Sequence, residues 1–342
     1  MSTLRPAFLA RSVVLAGLLC GAACPAQGGP PDDGVADPLD AVLRELREAE
    51  RRPWTGTLRW TSEYLLHERA LGENDVLNAR ETGTEVRTAD GWRVDLRKEQ
   101  TTGAGERQGH RYVSCFDGTD TVRTAYFGTA AETAVVNVLK NERRPHARRL
   151  DPYLLPLRWK GLESTFSQWL TQDLAAADAD EAISESGRAC RLRHLGTEER
   201  DGLRTHVLQT EHLRDDERSG EARSRRVYSL APDRGYLPIY TEGWDARWST
   251  EFPMDAVTLS DFKQAPGGRW YPGRAVHEKF SEPFARRGVR KLVWRQIYTL
   301  DFRPGETLSK EALCRETRPP NSRVYVIENG EFVDSDVTPG AD

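Results

Sequence analysis

The chain is poor in the features that announce an enzyme, a membrane span or a nucleic-acid partner. It has five cysteines in 342 residues, two of them within the first 24, and no Cys-X-X-Cys pair. Cys115, Cys190 and Cys314 remain in the body: an odd number that allows one disulfide, leaves the pairing open, and excludes a disulfide-stapled scaffold. No His-Glu-X-X-His, Gly-X-Ser-X-Gly or Walker loop occurs, and the seven histidines are scattered. His206 and His212 come nearest to a metal pair, but on an alternating strand they share a face almost 20 Å apart, by the rise of about 3.3 Å per residue. Asp215, Asp216 and Glu217 form an acidic cluster that reads as a solvated turn. No nucleophile, cofactor or metal set can be assembled, so the expectation is a protein that is not an enzyme and carries no cofactor.

Long apolar runs are also missing. The longest, Ser12 to Cys24, is well short of the roughly 20 residues a spanning helix needs. Preceded by Arg5 and Arg11, it has the layout of a secretion signal, residues 1–23. Two processing routes fit. Gly21-Ala22-Ala23 before Cys24 suits lipid attachment at Cys24, whereas Cys24-Pro25-Ala26 ahead of Gln27 suits a plain cut. The first leaves the product tethered to a membrane and the second leaves it free in the periplasm. Removal of 1–23 leaves 47 basic against 53 acidic residues, a net of −6, which points away from nucleic acid.

What is present is alternation. Residues 24–36 read as a flexible Pro/Gly/Asp leader. Asp37 and Pro38 then open a helix whose apolar positions Leu39, Val42, Leu43, Leu46 and Ala49 recur at helical spacing until Pro53. From Trp54 the period becomes two, through Leu58, Trp60, Ser62, Tyr64 and Leu66, and again through Trp92, Val94 and Leu96. Asp90-Gly91 and Asp117-Gly118 mark hairpins, giving about four strands in the first third. Arg143, Arg144, Arg148 and Arg149 interrupt the pattern, a basic loop that could also meet anionic lipid headgroups. Leu162, Phe166, Trp169, Leu170 and Leu174 predict a second helix. About seven strands follow between Cys190 and Phe302, punctuated by Pro232-Asp233-Arg234-Gly235 and Pro266-Gly267-Gly268. The tail, 306–342, reads as irregular with one short strand at 324–327.

These elements predict an α+β domain: a strongly curved antiparallel sheet, or incomplete β-barrel, with covering helices, and two packed small domains as the alternative. Nine tryptophans, many at alternating strand positions, fill a core or line a cavity according to how far the sheet curves.

The opening helix running into a Trp-bearing strand, the middle helix and the later strand pairs resemble the LolA/LolB-type fold of periplasmic lipoprotein-sorting proteins. The most specific stretches run from Val227 through Asp233-Arg234-Gly235-Tyr236-Leu237-Pro238, and over Gly267-Gly268-Arg269-Trp270-Tyr271-Pro272. The resemblance covers 37–305. It implies a half-barrel closed by helices around an apolar cavity for lipid or lipoprotein acyl chains, lined here by Trp60, Tyr64, Trp92, Val94, Leu96, Trp270 and Trp294. It also implies an Arg that latches the covering lid; Arg59 lies opposite Trp60 and does not supply it. The location implied is periplasmic or outer-membrane-associated. The alternative is a regulatory interaction module of the same fold with a filled core, which binds an envelope protein.

Overall fold

The structure, a computed structural model, describes residues 38–67, 75–101, 107–126, 134–142, 150–160, 165–171, 190–213, 222–315, 319 and 322–337. The signal, the leader with Cys24, the basic loop 143–149 and the acidic cluster 215–217 lie outside the described residues.

Helix α1 (Pro38–Arg51) buries Val42, Leu43, Leu46 and Ala49, the stripe its 3.6-residue period dictates. A six-strand meander follows: β1 (Gly56–His67), β2 (Asp75–Arg87), β3 (Trp92–Thr101), β4 (Arg107–Phe116), β5 (Thr121–Tyr126) and β6 (Ala134–Lys140). A 3₁₀ turn at Leu155–Lys160 and a helix α2, described over 166–171, precede β7 (Cys190–Arg200), β8 (Leu203–Leu213), β9 (Ala222–Ala231), β10 (Leu237–Asp245) and β11 (Asp255–Ser260). Next come the small hairpin β12 (Lys263–Gln264) and β13 (Trp270–Tyr271), then β14 (Arg274–Phe280), α3 (Glu282–Ala285), β15 (Leu292–Pro304) and α4 (Lys310–Leu313). The chain ends in β16 (Arg323–Glu328) and β17 (Glu331–Val337).

Fifteen strands form one sheet, in the order β17-β16-β6-β5-β4-β3-β2-β1-β15-β14-β11-β10-β9-β8-β7. β1 sits inside it, paired on one side with β2 and on the other with β15, so the two halves share one sheet rather than forming two domains. The edges β7 and β17 do not meet, and the sheet is curved and unclosed. That is the incomplete barrel the alternation predicts.

Two apolar layers fill its inner face. Toward β7–β10, Leu192, Leu208, Tyr228, Leu230 and Leu237 pack under α1, Tyr153, Leu157 and α2's Phe166 and Leu170. Toward the centre, Leu58, Trp60, Trp92, Val94, Leu96, Tyr298 and Leu300 pack under Leu150 and Leu155.

The sequence reading differs from the structure at three places. Among the described residues the first third holds six strands, not about four: Thr, Glu and Gly dilute the alternation of β2, and β6 carries Val or Leu on both faces. Cys115 pairs with Cys314, which settles the open pairing. The segment expected as an irregular tail carries two strands of the main sheet, with β16 running parallel to β6. Val324 joins Cys115, Val122, Val136 and Val138 in a cluster on the outer flank, which explains why this stretch orders.

Candidate functional site

β1 lays out the inner face row by row. Leu58 and Trp60 lie in the core, Ser62 is buried and polar, Tyr64 is half-buried, and Leu66 is exposed. Register carries the same sequence across neighbouring strands. Trp60 stands opposite Gly83, which stands opposite Leu96, and Leu58, Glu85 and Val94 line up beside them. Gly83 is required, because a Cβ there would fall within the Trp60 indole. Its absence lets the large ring cover the neighbouring strand.

The next row is a polar belt. Gln296 donates to Ser62 Oγ at 3.0 Å, and the Trp60 indole N–H reaches Glu81 at 3.5 Å. His277, 3% exposed, faces Tyr298 with ring centroids 5.4 Å apart. Farther toward this end, Arg226 and Asp255 form a buried ion pair of 2.9 Å, with Lys279 3.8 Å from the same carboxylate. Gly243 lies between them, and a Cβ there would sit 2.7 Å from the Arg226 guanidinium, so the glycine opens the path across β10. Burial lowers the Lys279 pKa, against the opposing pull of Asp255.

Beyond the belt the rim is apolar. Tyr64 and Trp294 pair with centroids 5.2 Å apart, and Leu66 stands opposite both Trp294 and Val76. Leu66, Val76 and Leu77 are exposed. Burial raises the Tyr64 pKa.

At the opposite end, a crevice of about 20 Å³ lies between Trp54, Leu58, Ala265, Trp270, Tyr271 and Phe302. Among the cavities described, the largest, about 440 Å³, is on the outer face, where Thr82, Thr84 and Arg97 line it together with Val86 and Leu308. The seven sequence-selected residues therefore occupy three places. Trp60, Trp92, Val94 and Leu96 converge in the core, Tyr64 and Trp294 meet at the rim, and Trp270 lines the far crevice.

One buried arginine escaped the sequence reading. Arg269 donates to the carbonyls of Glu50 and Arg52 at the end of α1, at 2.9 and 3.0 Å, and to the Asp151 carboxylate at 3.0 and 3.2 Å. Glu50 in turn accepts from the backbone N–H groups of Phe166 and Ser167 at the start of α2, and burial raises its pKa. Tyr153 donates to the Gly235 carbonyl at 2.7 Å; its pKa is raised by burial. Arg269 thus ties the end of α1 and the 150s cover to the small β12–β13 hairpin. Its signal in the sequence was its place in Gly-Gly-Arg-Trp, where an Arg next to a half-buried Trp has no solvent-facing reason to be. Arg59, by contrast, is half-exposed on the outer face and pairs with Glu306.

His206 meets His194: their ring nitrogens are 3.1 Å apart across the β7–β8 pair, where a bulge follows His194. Desolvation, then His194, lowers the His206 pKa. Among the described residues no group of three metal-ligating side chains forms.

Fold and site together define a helix-covered, unclosed β-sheet with a packed core, a polar belt and an apolar rim. No family model matches the chain, and no curated protein does. Solved structures similar to it include a putative outer membrane lipoprotein-sorting protein domain from Vibrio parahaemolyticus, at 16% identity over 81% of this chain and 99% of that one, with a TM-score of 0.38. A DUF1329 family protein from Desulfovibrio piger has 11% identity over 81% and 100%, with a TM-score of 0.39. The Mycobacterium tuberculosis lipoprotein LppX has 9% identity over 77% and 94%, with a TM-score of 0.23.

Proposed function

We propose that this is a non-enzymatic protein of the cell envelope that binds acyl chains of lipid or lipoprotein on the inner face of its half-barrel. The observation that carries the reading is the order of rows along β1. An exposed apolar rim, a polar belt and an aromatic-aliphatic layer match, in turn, an approach surface, a partner for an ester or amide carbonyl, and a bed for a hydrocarbon chain. In this reading the chain enters between Tyr64 and Trp294 and reaches Trp60, Trp92, Val94 and Leu96 by displacing Leu150 and Leu155, which Arg269 holds through Asp151. Trp270 borders the far end. Each Å² of hydrocarbon buried contributes about 25 cal/mol. The Cys115–Cys314 disulfide agrees with an oxidising compartment outside the cytoplasm, whether free in the periplasm or tethered through Cys24.

A second reading, a filled-core interaction module that binds an envelope protein, is favoured by one fact: Trp60 and Trp92 are 2% exposed and the apolar crevice is small. One experiment separates the two. The protein is stripped of lipid and titrated with a fluorescent fatty acid, and lipid carried through a native purification is identified by mass spectrometry. Probe binding that weakens about tenfold in Leu66→Asp/Val76→Asp supports acyl binding. Absence of both probe binding and co-purified lipid selects the filled-core module.

A further inference from the structure

The hairpin joining β14 to β15 is strongly basic. Residues 281–291, Ser-Glu-Pro-Phe-Ala-Arg-Arg-Gly-Val-Arg-Lys, hold four cations and a single acid. Glu282 is spent on Arg286, and among the described residues no carboxylate pairs with Arg287, Arg290 or Lys291. The hairpin is built, not loose. Ser281 N–H donates to the Lys291 carbonyl at 2.8 Å, Val289 N–H to that of Phe284 at 3.0 Å, and Gly288 takes the left-handed φ of 72° that turns the chain. Arg290 lies over the Phe280 ring at 4.2 Å and Lys291 over Phe284 at 4.5 Å. Between the cations stands Val289, 49% exposed.

Its position matters as much as its charge. Lys279 and Trp294, which flank the hairpin, pair with each other, and Trp294 stands opposite Leu66. The basic hairpin therefore sits at the same end of the sheet as the apolar rim, where Leu66, Val76 and Leu77 are 36–44% exposed. Cations beside exposed aliphatic groups are complementary to one kind of surface, a bilayer that presents phosphate above hydrocarbon.

We infer that this end of the half-barrel docks on anionic phospholipid membrane through Arg287, Arg290 and Lys291, with Val289 and the Leu66/Val76/Leu77 rim meeting the hydrocarbon boundary. The inference deepens the acyl-binding reading by naming the surface from which chains would come. Its test reads docking alone, so a failed fatty-acid titration leaves it standing, and the reverse holds.

The full mature protein without lipid on Cys24 is co-sedimented with vesicles of phosphatidylcholine containing increasing phosphatidylglycerol, and with phosphatidylcholine alone. Partitioning should rise with phosphatidylglycerol and fall with salt. Arg287→Gln/Arg290→Gln should weaken it about thirtyfold, from a contribution near the surface of about 1 kcal/mol per cation. Lys263→Gln/Arg274→Gln removes the same charge from exposed positions at the other end and should leave it unchanged. Val289→Asp should weaken it with no change in fold by circular dichroism. Equal loss in both double variants, equal binding to phosphatidylcholine alone, or binding to an acidic protein with none to vesicles would overturn the inference.

Discussion

Trp60 and Gly83 stand opposite each other on β1 and β2, and the indole occupies the space a side chain at 83 would need. The pair sets the height of the inner layer, because Leu96 on the next strand packs in the same row. Gly83→Ala should force the ring to move and cost about 1–3 kcal/mol, the range for overpacking a filled core. Urea denaturation would read the loss, and near-ultraviolet circular dichroism the displaced tryptophan. An unchanged midpoint would mean that the layer is loose enough to reshape for a ligand.

How much of this was legible beforehand depends on what each residue had to report. The curved sheet and α1 were readable because the periods are local: Leu58, Trp60 and Tyr64 alternate, and Val42, Leu43 and Leu46 recur, whatever they pack on. The rows of the candidate site were not, because they arise across strands. Nothing near Gly83 in the sequence shows that Trp60 lies over it, and nothing near Gly243 shows that Arg226 crosses it to Asp255. The His206–His194 contact is of the same kind: the two rings stand on different strands, and the bulge after His194 brings them into reach. The strand β16 has readable alternation, but its parallel partner β6 lies almost 190 residues earlier, and what brings the chain back there, the Cys115–Cys314 link and the packing of Val324 on Val136 and Val138, is not local.

Glu50 gives a pH signature. Its carboxyl titrates above the ordinary value of 4.5 because burial disfavours the charge more than the N–H groups of Phe166 and Ser167 favour it. A folded-state pKa raised above the unfolded one makes the folded protein bind its proton more tightly, so this group's cost is absent below pH 4.5 and grows as pH rises above it. Glu50→Gln keeps an acceptor for the α2 N–H groups and removes the charge. The variant's melting temperature should match the parent's near pH 4 and exceed it at pH 7. A lower melting temperature at pH 7 would mean that the ionised carboxylate outweighs its desolvation as a cap.

The disulfide should carry much of the stability of the outer flank. Cys115 and Cys314 are 199 residues apart in sequence, and closing so long a loop in the unfolded chain is worth about 2–5 kcal/mol. Cys314→Ser is expected to lower the unfolding free energy by that amount, read from the denaturation curve. Hydrogen exchange should show β16 and β17 losing protection ahead of β1–β5, since the exposed Phe332 and Val333 leave β17 little buried surface of its own. Uniform loss across the sheet would place the disulfide's effect in the whole fold and not in this edge.

The two cations that share Asp255 should respond in opposite ways. Arg226 is buried beside the carboxylate, 2.9 Å away, and its removal leaves a charge that is 2% exposed without its main partner. Arg226→Met should therefore cost about 3–5 kcal/mol. Lys279 is more distant, at 3.8 Å, and burial already depresses its pKa, which means that the folded state resists its charge despite Asp255. Its folded-state pKa lies below the unfolded 10.5, so its cost is full below the folded-state value, shrinks as pH rises through that value and is gone above 10.5. Lys279→Met should be neutral or stabilising at pH 7, because relief of the buried charge offsets the loss of the ammonium over the Trp248 ring, 4.6 Å away. Denaturation of both variants and the double variant at pH 7 closes the cycle. If Lys279→Met cost as much as Arg226→Met, the three groups would act as one network in which the lysine holds the carboxylate as firmly as the arginine does.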